Sequence, residues 1–291
     1  MAGWQLTGFD LNAFVRMVLD EDLGVGLPGG GHDVTSDSVI PAGARFAGVM
    51  DTRDAITVAG LPIAAAFFRA LDPGIEIEML VKDGASVPAG TQLMRITGNA
   101  RAMLTAERSA LNTAQHLSGI ATLTRQYVDA MQGPGGVTSA TLLDTRKTIP
   151  GLRHLEKYAV RMGGGQNHRM GLWDAAMIKD NHVAVAGGVA QAVGRAKAAG
   201  VASIICEVDR LDQIEPAIAA GASHILLDNM GPDTLRAAVA LIAGRAVSEA
   251  SGGVRLDTIA AIAASGVTYV SVGRLTQSAP AADIGLDFTP L

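Results

Sequence analysis

The chain runs to 291 residues, 48% apolar and 18% charged, with 23 Lys+Arg against 28 Asp+Glu and a net charge of −5. That length is enough to bury a substantial core in one large domain or two unequal ones. The acidic balance excludes the basic surface that nonspecific nucleic-acid or membrane binding needs, and the longest apolar run, ITVAGLPIAAAFF, is too short and too interrupted by Gly and Pro to cross a bilayer.

The opening MAGWQLTGFDLNAFVRMVLDEDLG has neither the basic start nor the cleavage pattern of a secretory leader, so a soluble cytoplasmic protein is expected. Within it, Asp10 is placed to N-cap a helix LNAFVRMVLDEDL, with Leu11, Phe14, Val15 and Val18 on one face. GLPGGGHDVTSDSVIPAG, rich in Gly and Pro, is predicted to be a loop. ARFAGVMDT and AITVAG predict strands, and LPIAAAFFRAL a short helix. IEIEMLV and TQLMRITG predict two more strands around the turn KDGASVPAG. This stretch resembles the sandwich hairpins of lipoyl and biotinyl carrier domains, but no lysine stands at its tip to carry a prosthetic group. Only a β scaffold is expected there. A long helix is predicted from Ala100 to Met131.

From about residue 138 the texture changes to short apolar runs alternating with Ala-rich helical patterns. The runs are TLLDT, AAMIKDN, SIICEV, HILLDN, AVSEASGG and YVSVG, and a Gly closes each intervening helix. Such alternation predicts βα units around a parallel sheet or barrel. The residues ending four successive strands, Glu207, Asp228, Ser251 and Gly273, lie 21, 23 and 22 positions apart. In βα units the C-terminal strand ends share one face, so these residues are expected to converge on a barrel-like site, with a doubly wound sheet as the competing architecture. Cys206, the single cysteine, lies in the apolar SIICEV and is expected to be a buried structural thiol, in keeping with a reducing compartment.

The stretch DTRKTIPGLRHLEKYAVRMGGGQNHR sets Arg146, Lys147, Arg153, Lys157, Arg161 and Arg169 against only Asp144 and Glu156. In an acidic protein that concentration reads as a site for a small anion. Forked guanidinium groups at Arg146 and Arg169 suit a planar or multiply charged anion, while Lys147 and Lys179 add compact positive charge. Glu207 and Asp228 are poor anion holders but suit Mg²⁺, which takes a few carboxylates with waters and substrate phosphate oxygens. Glycines at the last two strand ends, and a helix expected to start near Arg255, suit a terminal phosphate. The site read from these residues holds an anionic ring or acid, a divalent metal and a phosphorylated sugar.

Each feature also has a plain structural reading. Arg153, Lys157 and Arg161 at helical spacing read as a solvated or subunit-facing surface. Gly163-Gly164-Gly165 reads as a flexible turn, His168 alone as a hydrogen-bonded structural histidine, and His116 and His182 as packing or capping groups. Glu207 and Asp228 could each cap a helix. One cysteine and no paired histidine spacing leave too few ligands for zinc. Regular placement at strand ends is what none of these readings requires.

The motifs EDLG, TAER-ALN-Q-LSGIATLT, DTRKTIPGLR-LEKYAVRMGGG-NHR, IKDNH, LLDNM, SEASGG and LTQSAPAADIGLDF resemble the quinolinate phosphoribosyltransferase family across almost the whole chain. The resemblance implies transfer of phosphoribosyl from phosphoribosyl pyrophosphate to quinolinate with decarboxylation, using Mg²⁺. It implies that Arg146, Lys147, His168, Arg169 and Lys179 hold the quinolinate carboxylates, joined by Arg108 from a neighbouring subunit of a homodimer. It further implies that Glu207 and Asp228 serve the metal and phosphoribosyl pyrophosphate side, directly or through substrate and water, and that Ser251, Gly252 and Gly273 bind phosphate. The implied fold is an N-terminal α/β sandwich over 1–115, to which the tail 276–291 returns, and an irregular α/β barrel of parallel strands over 116–275. Gln277 stands where many members have His. Rival readings are a molybdenum-transport-associated paralogue, a nicotinate-specific phosphoribosyltransferase and a noncatalytic phosphosugar-binding module. The retained cations and acids argue against the last, because phosphate binding alone needs no clamp for a diacid.

Overall fold

The computed structural model describes residues 6–133 and 138–291. In chain order the first elements are α1 (Leu11–Leu23), α2 (Val34–Val39), β1 (Arg45–Thr52), β2 (Ile56–Thr57), α3 (Leu61–Leu71), β3 (Glu76–Met79), β4 (Ser86–Val87), β5 (Gln92–Asn99) and α4 (Ala100–Met131). There follow β6 (Thr141–Leu143), α5 (Arg153–Met162), β7 (Ala176–Ile178), α6 (Asp180–Ala186), α7 (Val189–Ala198), β8 (Ile204–Val208), α8 (Ile214–Ala220) and β9 (His224–Asp228). The chain ends with α9 (Pro232–Ile242), β10 (Val247–Ser251), α10 (Ile259–Ala263), β11 (Tyr269–Ser271), α11 (Arg274–Gln277) and β12 (Ile284–Pro290). Two compact units emerge. One comprises 1–123, 154–163 and 279–291, the other 124–153 and 164–278.

The first unit is built on an antiparallel sheet in the order β12-β1-β5-β3. The C-terminal strand pairs along β1 from Phe46↔Pro290 to Thr52↔Ile284. Phe67 and Phe68 of α3, Met50 of β1, Met94 and Ile96 of β5 and Met103 of α4 are fully buried. Burying each such side chain contributes about 1.5–3 kcal/mol. Asp10 caps α1 as expected, accepting from the Ala13 amide at 3.0 Å. The Gly-Pro-rich segment is not all loop. Asp33 accepts from the Ser36 amide at 3.0 Å and starts α2, because a well-placed cap supplies the acceptor that a short helix otherwise lacks.

The carrier-like turn also has a local task. Asp83 accepts from the Gly60 amide at 2.6 Å, the Leu61 amide at 3.2 Å and the Tyr158 hydroxyl at 2.7 Å, so it caps α3 from a distance in sequence. Burial pushes its carboxyl above the ordinary value, against the pull of those donors. Lys157 departs from the solvated stripe expected of Arg153, Lys157 and Arg161: it is fully buried, as is Glu156, within the buried stretch Leu155–Val160 of α5. Exposed Arg161 and half-buried Arg153 lie beyond either end of that stretch. The Glu156 carboxylate meets His116 Nε2 at 2.9 Å. The histidine is thereby a packing group.

The second unit is a six-stranded sheet in the order β6-β11-β10-β9-β8-β7, parallel throughout, with β6 and β7 at its two edges. The predicted βα alternation is therefore present. Register sets the site: Ser251 lies beside Asp228 and Glu249 beside both Leu226 and Tyr269. Gly221 closes α8 in the left-handed conformation, but Ala243 does so for α9 at φ 49°, with Gly244 following at 72°, so the closing glycine is displaced by one residue. Cys206 is buried, and burial together with the Glu207 charge pushes its thiol up to about 11. A thiolate is the reactive form, so Cys206 is expected to resist thiol-specific alkylation at pH 8 in the native protein and react fully in denaturant. Equal rates in the two states would contradict its placement.

Candidate functional site

At the C-terminal ends of the parallel strands lies a cavity of about 870 Å³ lined by Arg146, Lys147, His168, Arg169, Lys179, Glu207, Asp228, Ser251, Gly252 and Gly273. Ten of the eleven residues singled out from the sequence thus meet there. Arg108 is exposed on α4 and is not among the lining residues.

The cationic side is held in place by a buried acid. Asp144, just after β6 and with no exposed surface, accepts from Asn167 Nδ2 at 2.6 Å and from the His168 amide at 2.8 Å. These bonds tie the DTRKT and NHR segments to each other. Arg169 spends Nη1 on the Ala175 carbonyl at 2.8 Å, while its Nε is buried with no hydrogen-bond partner, as is the Nε of Arg146. Burial and the neighbouring Arg146 charge lower the Arg169 pKa, which Asp174 partly offsets. Two guanidiniums facing one cavity with orphaned donors are what an anion would satisfy.

Lys147 enters from the opposite direction. Its amide donates to Thr145 Oγ1 at 3.0 Å and its carbonyl accepts from Thr276 Oγ1 at 2.7 Å. A Cβ on Gly273 would stand 2.7 Å from Lys147 Cδ, so the glycine is what lets the lysine stem lie across the end of β11. Lys179 Nζ bonds to Glu207 Oε2, joining the clamp to the acidic side. The Lys179 amide donates to His182 Nδ1 at 3.0 Å, which makes His182 a helix cap.

Beyond Asp228 the backbone forms a cradle. Asn229 stands at φ 56° with its amide bonded to the Ser251 carbonyl at 2.8 Å and its Nδ2 to Asp228 Oδ2 at 2.7 Å. Gly252 (φ +90°) lies so close that a Cβ would come within 2.3 Å of Asn229 Oδ1. The helix expected near Arg255 begins only at Ile259 and has five residues. The Arg255 side chain bonds to Asp257 at 3.0 Å, while its carbonyl accepts from the Thr258 amide at 3.1 Å and the Ile259 amide at 2.9 Å, so a turn leads from Arg255 into the regular helix. Backbone N–H groups of such a glycine turn are suited to an anion.

Glu249 was not anticipated. It is fully buried, lines the same cavity, and lies 3.2 Å from His168 Nε2 and 2.8 Å from His224 Nε2 through Oε2. Burial would raise its pKa, but the histidines and Ser271 outweigh that and hold it down to about 2. Strand alternation was the available signal, because Glu249 precedes Ser251 by two on β10 and therefore faces the same way.

A parallel βα sheet that gathers arginines, lysines, carboxylates and a glycine turn around one cavity at its strand ends is suited to an anionic ligand. Comparison narrows this to one family. Residues 33–118 match the quinolinate phosphoribosyl transferase N-terminal domain and residues 120–287 its C-terminal domain. The chain is 43% identical over 280 residues to the nicotinate-nucleotide pyrophosphorylase [carboxylating] of Mycobacterium leprae, covering 94% of this chain and 95% of that protein. It is 41% identical over 271 residues to the probable enzyme of the same name from Bacillus subtilis, covering 92% and 90%. The crystal structure of NadC from Streptococcus pyogenes superposes with a TM-score of 0.91 at 37% identity, covering 99% of this chain and all of that one. This chain belongs to the quinolinate phosphoribosyltransferase family.

Proposed function

We infer that the chain carries out its family's reaction: quinolinate and phosphoribosyl pyrophosphate give nicotinate mononucleotide, pyrophosphate and CO₂, a step of NAD biosynthesis. The supporting observation is the pair of buried, unpartnered Nε donors on Arg146 and Arg169 in one cavity. Two ring carboxylates answer two guanidiniums; one carboxylate would leave one buried Nε donor unmet. Lys179 and Lys147 complete the grip, and the cradle of Ser251, Gly252 and Gly273 takes the sugar phosphate.

The ring nitrogen of quinolinate is already a nucleophile, so no general base is required. Holding it near the anomeric carbon is the main task of the clamp. As pyrophosphate leaves, the ribose acquires oxocarbenium character. Loss of the carboxylate beside the nitrogen as CO₂ then leaves its bonding pair on the ring carbon, where the Lys147 charge lowers the barrier, and the pair takes a proton from solvent to give the C–H of the product. Glu207 and Asp228 fit Mg²⁺, which takes one or two carboxylates plus water and phosphate oxygens. Among the described residues no group of three or more His, Cys, Asp or Glu forms a closed cage for it. When bound, Mg²⁺ neutralises charge on the departing pyrophosphate.

In this reading Arg108 serves the cavity of a second copy, making the functional unit a homodimer. Its exposure on α4 supports that role. A cytoplasmic setting agrees with the substrates, and no helix among the described residues is long and apolar enough to cross a membrane. The test is an assay of purified protein with quinolinate, phosphoribosyl pyrophosphate and Mg²⁺. CO₂ and nicotinate mononucleotide are expected in equal amounts, with neither formed when any component is omitted. Phosphoribosyl pyrophosphate binding without product would favour a binding module.

A further inference from the structure

His168 is implied by its family to hold a substrate carboxylate, yet its ring is already engaged on both sides. Nδ1 accepts from the Arg169 amide at 2.7 Å, so it carries no proton. The ring proton is then on Nε2, which faces Glu249 Oε2 at 3.2 Å. A neutral imidazole has one N–H, and this one is directed at a buried carboxylate rather than at an anionic ligand. The ring is also flanked by the His224 ring, tilted at 31° with centroids 6.3 Å apart, which is in turn 6.0 Å from the Tyr269 ring at a tilt of 30°. His224, the first residue of β9, brings its Nε2 within 2.8 Å of the same Oε2, although its N–H does not point along a hydrogen bond. Glu249 Oε1 has no hydrogen-bond partner. Three inward-facing residues from β9, β10 and β11 thus form a floor under one histidine.

We propose that Glu249, flanked by His224, is a positioning residue that fixes the tautomer and ring plane of His168, and that His168 acts on the substrate through the Arg169 backbone rather than by donating to a carboxylate. The Arg169 amide is anchored by Nδ1 at one end and its guanidinium by the Ala175 carbonyl at the other. Only with both anchors does its Nε stay aimed at the anion. Loss of the Glu249 acceptor frees the ring to turn, and the 2.7 Å bond to Arg169 goes with it.

The inference rests on the quinolinate reading for its kinetic arm, but its spectroscopic arm does not. In full-length protein labelled with ¹⁵N-histidine, long-range ¹H–¹⁵N spectra should show His168 as the neutral Nε2–H tautomer with Nδ1 unprotonated. A predominant Nδ1–H form or an imidazolium at pH 7.5 overturns the proposal whatever the reaction proves to be. Glu249→Leu, which removes the acceptor oxygen that Gln would keep, should raise KM for quinolinate by about 10- to 100-fold, the range for removing a partner that orients a functional histidine, and leave KM for phosphoribosyl pyrophosphate within about twofold. Equal changes in both constants, or none, would also refute it. Should Glu249→Leu not fold, His224→Leu serves, with a smaller rise in the quinolinate constant alone; an unchanged constant there counts against the pair. His168→Asn, whose Oδ1 can replace Nδ1 as acceptor, should keep more activity than His168→Gln. The reverse order would mean that His168 donates to the substrate from Nε2.

Discussion

Arg146→Ala is expected to lower kcat/KM for quinolinate by about 100- to 1,000-fold, the cost of removing one preorganised donor from a developing or bound anion, while leaving the fold at least as stable as before. The second half of that statement distinguishes a binding cation from a structural one. Arg146 Nε has no hydrogen-bond partner among the described residues, and its charge, after burial, lowers the pKa of Arg169. Its removal therefore deletes a repulsion and exposes no unmet partner, so a truncation that nearly abolishes turnover costs nothing in thermal stability. Functional sites commonly trade stability in this way. Steady-state kinetics and thermal unfolding of the same preparation check both halves. Wild-type rates would remove Arg146 from the clamp, and a large loss of stability would make it a structural residue.

Gly252→Ala should act in the opposite sense, through the backbone. Its φ of +90° disfavours any side chain, and the added Cβ would stand 2.3 Å from Asn229 Oδ1 and 3.0 Å from the Asn229 amide nitrogen. Left-handed strain of this kind costs about 1–3 kcal/mol. Relief requires moving Asn229, which is itself left-handed and bonded to both Asp228 and the Ser251 carbonyl. The cradle and the acid beside it would shift together. A fall of several degrees in the melting temperature is expected, with a raised KM for phosphoribosyl pyrophosphate and a smaller change for quinolinate. An unaltered melting temperature would mean that the turn relaxes without cost, and an unaltered KM that the phosphate sits elsewhere.

Much of this geometry was legible in the chain. Spacing of 21 to 23 residues between Glu207, Asp228, Ser251 and Gly273 encodes one βα unit each, and the sheet carries all four to a common end. The bounds of α4 could be read directly, because an uninterrupted run free of Gly and Pro signals leaves no competing stop before Met131 except the tolerated Gly119. What escaped depends on contacts that no local pattern announces. Lys157 looks like one rung of a basic stripe, and only the packing of α5 buries it. Arg255 looks like the start of a helix, yet its bond to Asp257 and the turn through Thr258 delay the helix to Ile259. Glu249 lay inside the SEASGG motif and was passed over, because a buried acid flanked by His168 and His224 becomes visible only when β9 and β10 are set side by side.

The measurement that tests the clamp most directly is the ratio of kcat/KM for quinolinate to that for nicotinate, taken on one preparation with saturating phosphoribosyl pyrophosphate and Mg²⁺. A cavity with two guanidiniums whose buried Nε atoms lack partners disfavours an acid that answers only one of them, so the ratio should exceed roughly 100. A ratio near one would show that the second carboxylate finds no cation waiting for it.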